Sequence, residues 1–302
     1  QNGFDPLAYF VTAAHQKGIE LHAWINPYRI TQSGDAEFEA MSESNPAKST
    51  HSDYVVAHNG NYYFDPAEPA VRQLIIDGAC EIARKYDVDG VHLDDYFYPG
   101  TDFDDADSFA LYGEGWENIG GWRRNNVNTL VKMLSDTIKA TKPWVRFGIS
   151  PFGIYRNKKQ DENGSDTNGL SNYDDLYADT QLWINEGWID YVIPQLYWEI
   201  GHPAANYTTL LYWWRENKGA NTQLYIGQSI DRSVGQIKKK LDLTLGDERI
   251  GGNCFFTGDN LLINKHGMRD TLTTQYYTQV AFAPTFAHID SIAPNKPHYV
   301  YM

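Results

Sequence analysis

The sequence predicts an α/β fold, a (β/α)8 TIM-type barrel whose first two strands lie upstream of residue 1. Strand-like apolar runs alternate with amphipathic helical segments, the order that builds a parallel sheet crossed by helices. Most runs stay apolar until near their C-terminal ends and then turn polar and aromatic, as on the rim where such barrels keep their chemistry. No G-x-G-x-x-G follows a strand, which disfavours the rival doubly wound sheet of a dinucleotide binder.

The chain opens on a helix-like segment, "DPLAYFVTAAHQKG", with Pro6 near its start and Gly18 at its end. Six strand-like runs follow, at 19–29, 88–97, 145–153, 189–198, 223–230 and 251–258. A six-stranded parallel barrel is unusual, so two strands are expected before Gln1. One helix is expected at 70–86, with Val71, Leu74, Ile75, Gly78 and Ile82 on its apolar face. Another is expected at 125–140, with Val127, Leu130, Val131, Leu134 and Ile138 sharing a side. Three long segments after strands, 31–67, 98–121 and 157–175, are expected as rim loops, the last the most disorder-like. The barrel domain is expected over 1–285, and 286–302 reads as a linker or the start of a truncated module, the tail from Pro284 having three prolines and no helical period.

At 302 residues the chain is one large domain or two modest ones. Hydrophobic residues, 42 % of the chain, suffice for a sizeable core, and nine Trp with 21 Tyr suggest surfaces that stack on flat rings. The 25 basic and 39 acidic residues leave a net charge of −14, which argues against a nucleic-acid partner. There is no apolar run of about 18 residues, so no membrane-spanning segment is expected. Cys80 and Cys254 lack metal-type spacing and read as free buried thiols rather than one bridge. With neither signal peptide nor initiator Met, the chain reads as a mature or trimmed product.

The strongest chemical signal is "VHLDDYFY" at the end of the 88–97 run. His92, Asp94 and Tyr96 alternate toward the barrel interior or rim, while Asp95 points away or falls on the following turn. Adjacent carboxyls suit general acid/base work, because desolvation raises one while hydrogen bonds hold the other ionised. His92 and Tyr96 are expected to touch the same ligand. Glu199, past "IPQLYW", is the candidate second carboxylate across the mouth, or else a surface Glu. Gln195, Tyr197 and Trp198 precede it, the two aromatics as sugar platforms or wall residues. "HAWINPYR" offers Asn26, Tyr28 and Arg29 to hold hydroxyls or carboxyls, with Arg29 alternatively paired to a rim Asp. "ISPFGIYRN" offers Ser150, Arg156 and Asn157; Ser150 lacks a G-x-S-x-G elbow and is not expected as a nucleophile. Asp231 is a further rim carboxylate or a helix cap. No metal or cofactor is expected: the acidic 102–108 stretch lacks an EF-hand's glycine and final Glu, and no H-E-x-x-H occurs. "NGS" (163–165) and "NYT" (206–208) fit the glycosylation triplet.

Five stretches in order, "DPLAYFVTAAHQKGIELHAWINPYR", "DGVHLDDYFYP", "WRRNNVNTLV", "ISPFGIYRN" and "DYVIPQLYW", resemble the successive motifs of the bacterial glycosyl-hydrolase-like family ten, over about residues 3–285. The resemblance implies a (β/α)8 glycosidase, of a group that includes a peptidoglycan glycosidase acting on strands stripped of their stem peptides. It makes "HAWINPYR" the third barrel strand and "DGVHLDDYF" the fourth. It places site residues at Asp94, Asp95, Asn26, Tyr28, Arg29, Ser150, Arg156, Asn157, Gln195, Tyr197 and Trp198, with Glu199 just beyond the motif. The fourth strand is also similar to the D-x-x-D-x-D-x-E strand of chitinase-type enzymes. Asp89 and Asp94 fit it, but His92 replaces an Asp and Tyr96 stands where the acid Glu would be. The function expected is a glycoside hydrolase on a bacterial cell-wall or other N-acetylated glycan. Asp95 would be the acid/base, and Asp94 would stabilise the anomeric centre or orient an N-acetyl group. The alternative is a non-catalytic carbohydrate-binding barrel. The expected location is periplasmic, in the cell envelope (a lipoprotein included) or secreted.

Overall fold

The computed structural model describes residues 3–231 and 233–279, with 281, 286 and 289. Six strands form one parallel sheet: β1 (His22–Ile25), β4 (Gly90–Leu93), β5 (Arg146–Ile149), β6 (Tyr191–Val192), β7 (Gln223–Ser229) and β8 (Gly252–Phe256), in that spatial order. The sheet curls into a half-barrel whose edges are β1 and β8. At their C-terminal ends Trp24 and Phe256 meet edge to face, ring centroids 6.4 Å apart. All six expected barrel strands are present.

Helices cover the outside in the expected alternation. α1 (Pro6–His15) starts on an Asp5 side chain that accepts from Ala8 N, with proline in its first turn; Gly18, at φ +67°, follows it. α2 (Asp35–Ala40) lies in the loop after β1, and α3 (Pro69–Lys85) leads into β4. α4 (Ala106–Tyr112) and α5 (Ile119–Thr141) join β4 to β5. α6 (Thr180–Asn185), α7 (Tyr207–Asn217) and α8 (Val234–Thr244) precede β6, β7 and β8. α9 (Gly258–Leu262) and α10 (Met268–Thr271) follow. Asn118, Asp179, Asn206 and Ser233 cap α5, α6, α7 and α8 with side-chain oxygens.

The main core lies between sheet and helices. Val91, Leu93, Phe147, Ile149, Val192, Leu224 and Ile226 face outward from the barrel onto α5 and its neighbours. On α5 the expected face is buried in full, and Trp122, Arg123, Asn126 and Ser135 widen it. On α3 the buried face is rotated from the expected one. Val71, Ile75, Ile76, Ala79, Cys80 and Ala83 are buried, while Gly78 is exposed. The helix packs through small residues, which an apolar-only pattern underweights.

The 31–67 segment is more than a loop. It holds α2 and an antiparallel hairpin, β2 (Val55–His58) and β3 (Asn61–Phe64), turned by Asn59 and Gly60 at φ 47° and 77°. The 157–175 segment, expected to be disorder-like, is pinned. Arg156 pairs with Asp161 at 2.6 Å and Asp174 at 2.9 Å. Buried Asn157 donates to Gly169 O at 2.8 Å and accepts from Gly169 N at 3.0 Å. Both cysteines are free; Cys80 is buried as expected, but Cys254 is exposed on the edge strand β8. The linker expected from 286 lies outside the described residues save Phe286 and Ile289.

Candidate active site

Inward-facing residues fill the barrel in layers. In the lower layer β4 contributes Gly90, and β5 contributes Arg146 and Gly148. The His22 ring lies over Gly90, its register partner, and a Cβ there would come within 2.5 Å of Nδ1. The Tyr191 ring lies over Gly148 in the same way, where a Cβ would come within 2.2 Å. Above them on β4 and just past β5 stand His92 and Ser150. Asp94 and Asp95 follow where β4 has ended, so strict alternation no longer separates them. Both line one cleft of about 750 Å³ at the C-terminal ends of the strands.

In that cleft Asp94 is 6 % exposed. Its Oδ1 accepts from the Asp95 backbone N–H at 2.9 Å and from Gln195 Nε2 at 3.1 Å. Gln195 Nε2 also donates to Ser150 O at 3.0 Å, tying the ends of β4, β5 and β6 together. Burial, then the neighbouring Asp94 charge, pushes the Asp95 carboxyl from its ordinary 3.8 up to about 8. The pair therefore holds a proton near neutral pH. His92 is held neutral by burial and by the charge of His22, which lower it to about 3.

Arg29, Tyr96, Ser150, His92, Gln195 and Tyr197 also line the cleft. Arg29 makes no ion pair with a carboxylate among the described residues; its guanidinium lies on the Tyr96 ring, 3.8 Å from the centroid. Tyr197 stacks on Phe256 at 5.9 Å, and burial pushes its phenol up. Sequence reasoning missed the contributions of Gln32, Phe256 and Asp259, which line the same cleft. Asp259 sits just past β8, a rim position at the end of an apolar run, which was the available signal.

Other expected residues lie elsewhere. Glu199 is exposed and does not line the cleft, because the chain leaves the barrel after Tyr197 and turns at 199–202 toward α7. Trp198 packs edge to face on Phe152 at 5.3 Å as a wall residue. Tyr28 is buried in the main core, its hydroxyl unpartnered, and Asn26 Oδ1 is likewise buried without a partner. Arg156 and Asn157 are consumed by the 157–175 segment. Asp231 is exposed and accepts from the Ser229 hydroxyl. Among the described residues no three His, Cys, Asp or Glu are grouped to hold a metal ion, and no helix is long and apolar enough to cross a membrane.

A parallel half-barrel with its cleft at the C-terminal strand ends is the architecture of TIM-type barrels. The glycoside hydrolase domain of PgaB (BpsB) from Bordetella bronchiseptica superposes with a TM-score of 0.58 at 10 % identity, covering 89 % of this chain and 78 % of that one. Alpha-L-fucosidase isoenzyme 2 from Paenibacillus thiaminolyticus gives 0.51 at 15 % identity, over 84 % and 36 %. These likenesses define the fold. The family model described as "Glycosyl hydrolase-like 10" matches residues 1–243, and the chain belongs to that family. It is 42 % identical to glycosyl hydrolase YngK of Bacillus subtilis (strain 168), over 98 % of this chain and 61 % of the relative. It is 37 % identical to glycosyl hydrolase DigH of Escherichia coli (strain K12), over 86 % and 65 %. The chain thus spans less than two thirds of the length of these relatives.

Proposed function

We propose that the protein is a glycoside hydrolase that cleaves an N-acetylated glycan, with bacterial cell-wall glycan as the first candidate and the envelope or exterior as its place of action. The observation that carries this reading is the adjacent Asp94–Asp95 pair lining one cleft walled by aromatics, where burial and the neighbouring charge push the Asp95 carboxyl up. Family membership and relatives named as glycosyl hydrolases support it.

Asp95 gives its proton to the glycosidic oxygen as the bond to the anomeric carbon breaks. Asp94 supplies negative charge facing the anomeric centre, or orients the N-acetyl carbonyl for internal attack. Water then adds to the anomeric carbon and the proton returns to Asp95. Tyr197, Tyr96 and exposed Trp24 offer faces to the sugar rings, and Arg29 offers a cation to an oxygen-bearing substituent. The further carboxylate at the mouth is Asp259 rather than Glu199.

The test is mass spectrometry of products after incubation with peptide-free peptidoglycan strands, beside an Asp94→Asn/Asp95→Asn double variant. Shorter sugars from the wild type alone are expected. Calorimetric binding of glycan without products would replace a hydrolase by a carbohydrate-binding barrel.

A further inference from the structure

A chain of hydrogen bonds runs up the barrel interior. His22 Nδ1 lies 2.7 Å from the Tyr191 hydroxyl, which lies 3.1 Å from His92 Nδ1. His92 Nε2 lies 2.9 Å from Ser150 Oγ, in the cleft beside Asp94 and Asp95. The chain is built: Gly90 and Gly148 leave the space that the His22 and Tyr191 rings occupy, and the Tyr191 and His92 rings are nearly parallel, 6° apart.

The Tyr191 hydroxyl has one hydrogen and sits between two Nδ1 atoms, so its direction is a binary choice. With His22 charged, Nδ1–H donates to the Tyr191 oxygen, and Tyr191 donates to His92 Nδ1. Neutral His92 then carries its hydrogen on Nε2 and donates to Ser150 Oγ, leaving the Ser150 O–H free to donate into the cleft. With His22 neutral and its hydrogen on Nε2, 3.9 Å from Glu20, every bond reverses. Tyr191 donates to His22, His92 Nδ1–H donates to Tyr191, and Ser150 donates to His92. Only lone pairs of Ser150 then face the cleft.

We propose that the protonation of His22, on the barrel floor, sets the tautomer of His92 through Tyr191 and so decides whether Ser150 donates or accepts a hydrogen bond in the cleft. His22 and Tyr191 are positioning residues in this arrangement. The groups facing His22 and its cavity are Glu20, His92, Arg146, Tyr191, Tyr225 and Cys254; Glu20 is itself clamped by Arg146 Nη1 at 2.6 Å. The value of the switch to catalysis rests on the hydrolase reading, but its existence does not.

The experiment is a pH titration of the full chain labelled with ring-¹⁵N histidine, with His92 assigned by the resonances lost in His92→Gln. The expected result is that His92 changes from mainly Nε2–H to mainly Nδ1–H over the same pH interval in which His22 loses its charge. In Tyr191→Phe, with folding checked by near-ultraviolet circular dichroism, His92 should keep one tautomer throughout. A wild-type His92 tautomer that stays constant through the His22 titration overturns the proposal, whether or not the phenylalanine variant folds. So does a folded Tyr191→Phe in which His92 still follows His22. No glycan is present, so failure of the hydrolase reading leaves this result intact.

Discussion

Asp95→Asn should make the protein more stable at alkaline pH. In the unfolded chain the Asp95 carboxyl ionises near its ordinary 3.8, whereas in the folded cleft it holds its proton to about 8. Between those values the unfolded state binds fewer protons than the folded state, so stability falls as pH rises from about 4 to about 8. One pH unit of displacement corresponds to about 1.4 kcal/mol, which sets a ceiling of roughly 6 kcal/mol on the penalty above pH 8. The cleft is open to water on one side, which brings the realised cost down to the order of 2 kcal/mol. Asparagine has no proton to lose and escapes this cost. The assay is urea unfolding of wild type and Asp95→Asn at pH 4.5 and pH 8.5. The variant should gain on the wild type by about 2 kcal/mol between the two pH values. An equal stability difference at both would refute the claim that Asp95 is the carboxyl burdened by burial.

Other outcomes follow from the same geometry. Asp94→Asn removes the neighbouring charge that helps raise Asp95, so the alkaline limb of any residual glycan cleavage should move below pH 8 in a pH–rate profile. Glu199→Gln should leave kcat/KM within about twofold, while Asp259→Asn, in the cleft, should cost roughly tenfold, as steady-state kinetics on the same glycan would show. Gly148→Ala places a methyl within 2.2 Å of the Tyr191 ring and should destabilise the fold by about 1–3 kcal/mol in urea melts.

Much of the architecture was legible because barrel strands carry strong local signals. All six parallel strands and the apolar face of α5 follow from periodicity, and Asp94 and Asp95 sit on the rim because their run ends there. The hairpin at 55–64 was missed although "HNGN" carries the Asn-Gly turn signal between two strand-like runs. The order of 157–175 was not legible: Arg156 finds Asp161 and Asp174 only once the loop closes, and composition cannot report such pairing. Glu199 was misplaced because sequence shows a residue after a strand but not the direction in which the chain then leaves. The His22–Tyr191–His92 chain depends on two glycines lying under rings from neighbouring strands, a register that no single-strand pattern contains.

The most direct measurement compares wild type and Asp95→Asn on two substrates with the same N-acetylated sugar, one with a sugar leaving group and one with dinitrophenolate, which needs no proton to depart. The proposed mechanism predicts that the variant loses about 10²–10⁴-fold in kcat/KM on the sugar leaving group and little on the dinitrophenyl glycoside. Equal losses on both substrates, or no loss on either, would contradict Asp95 as the proton donor.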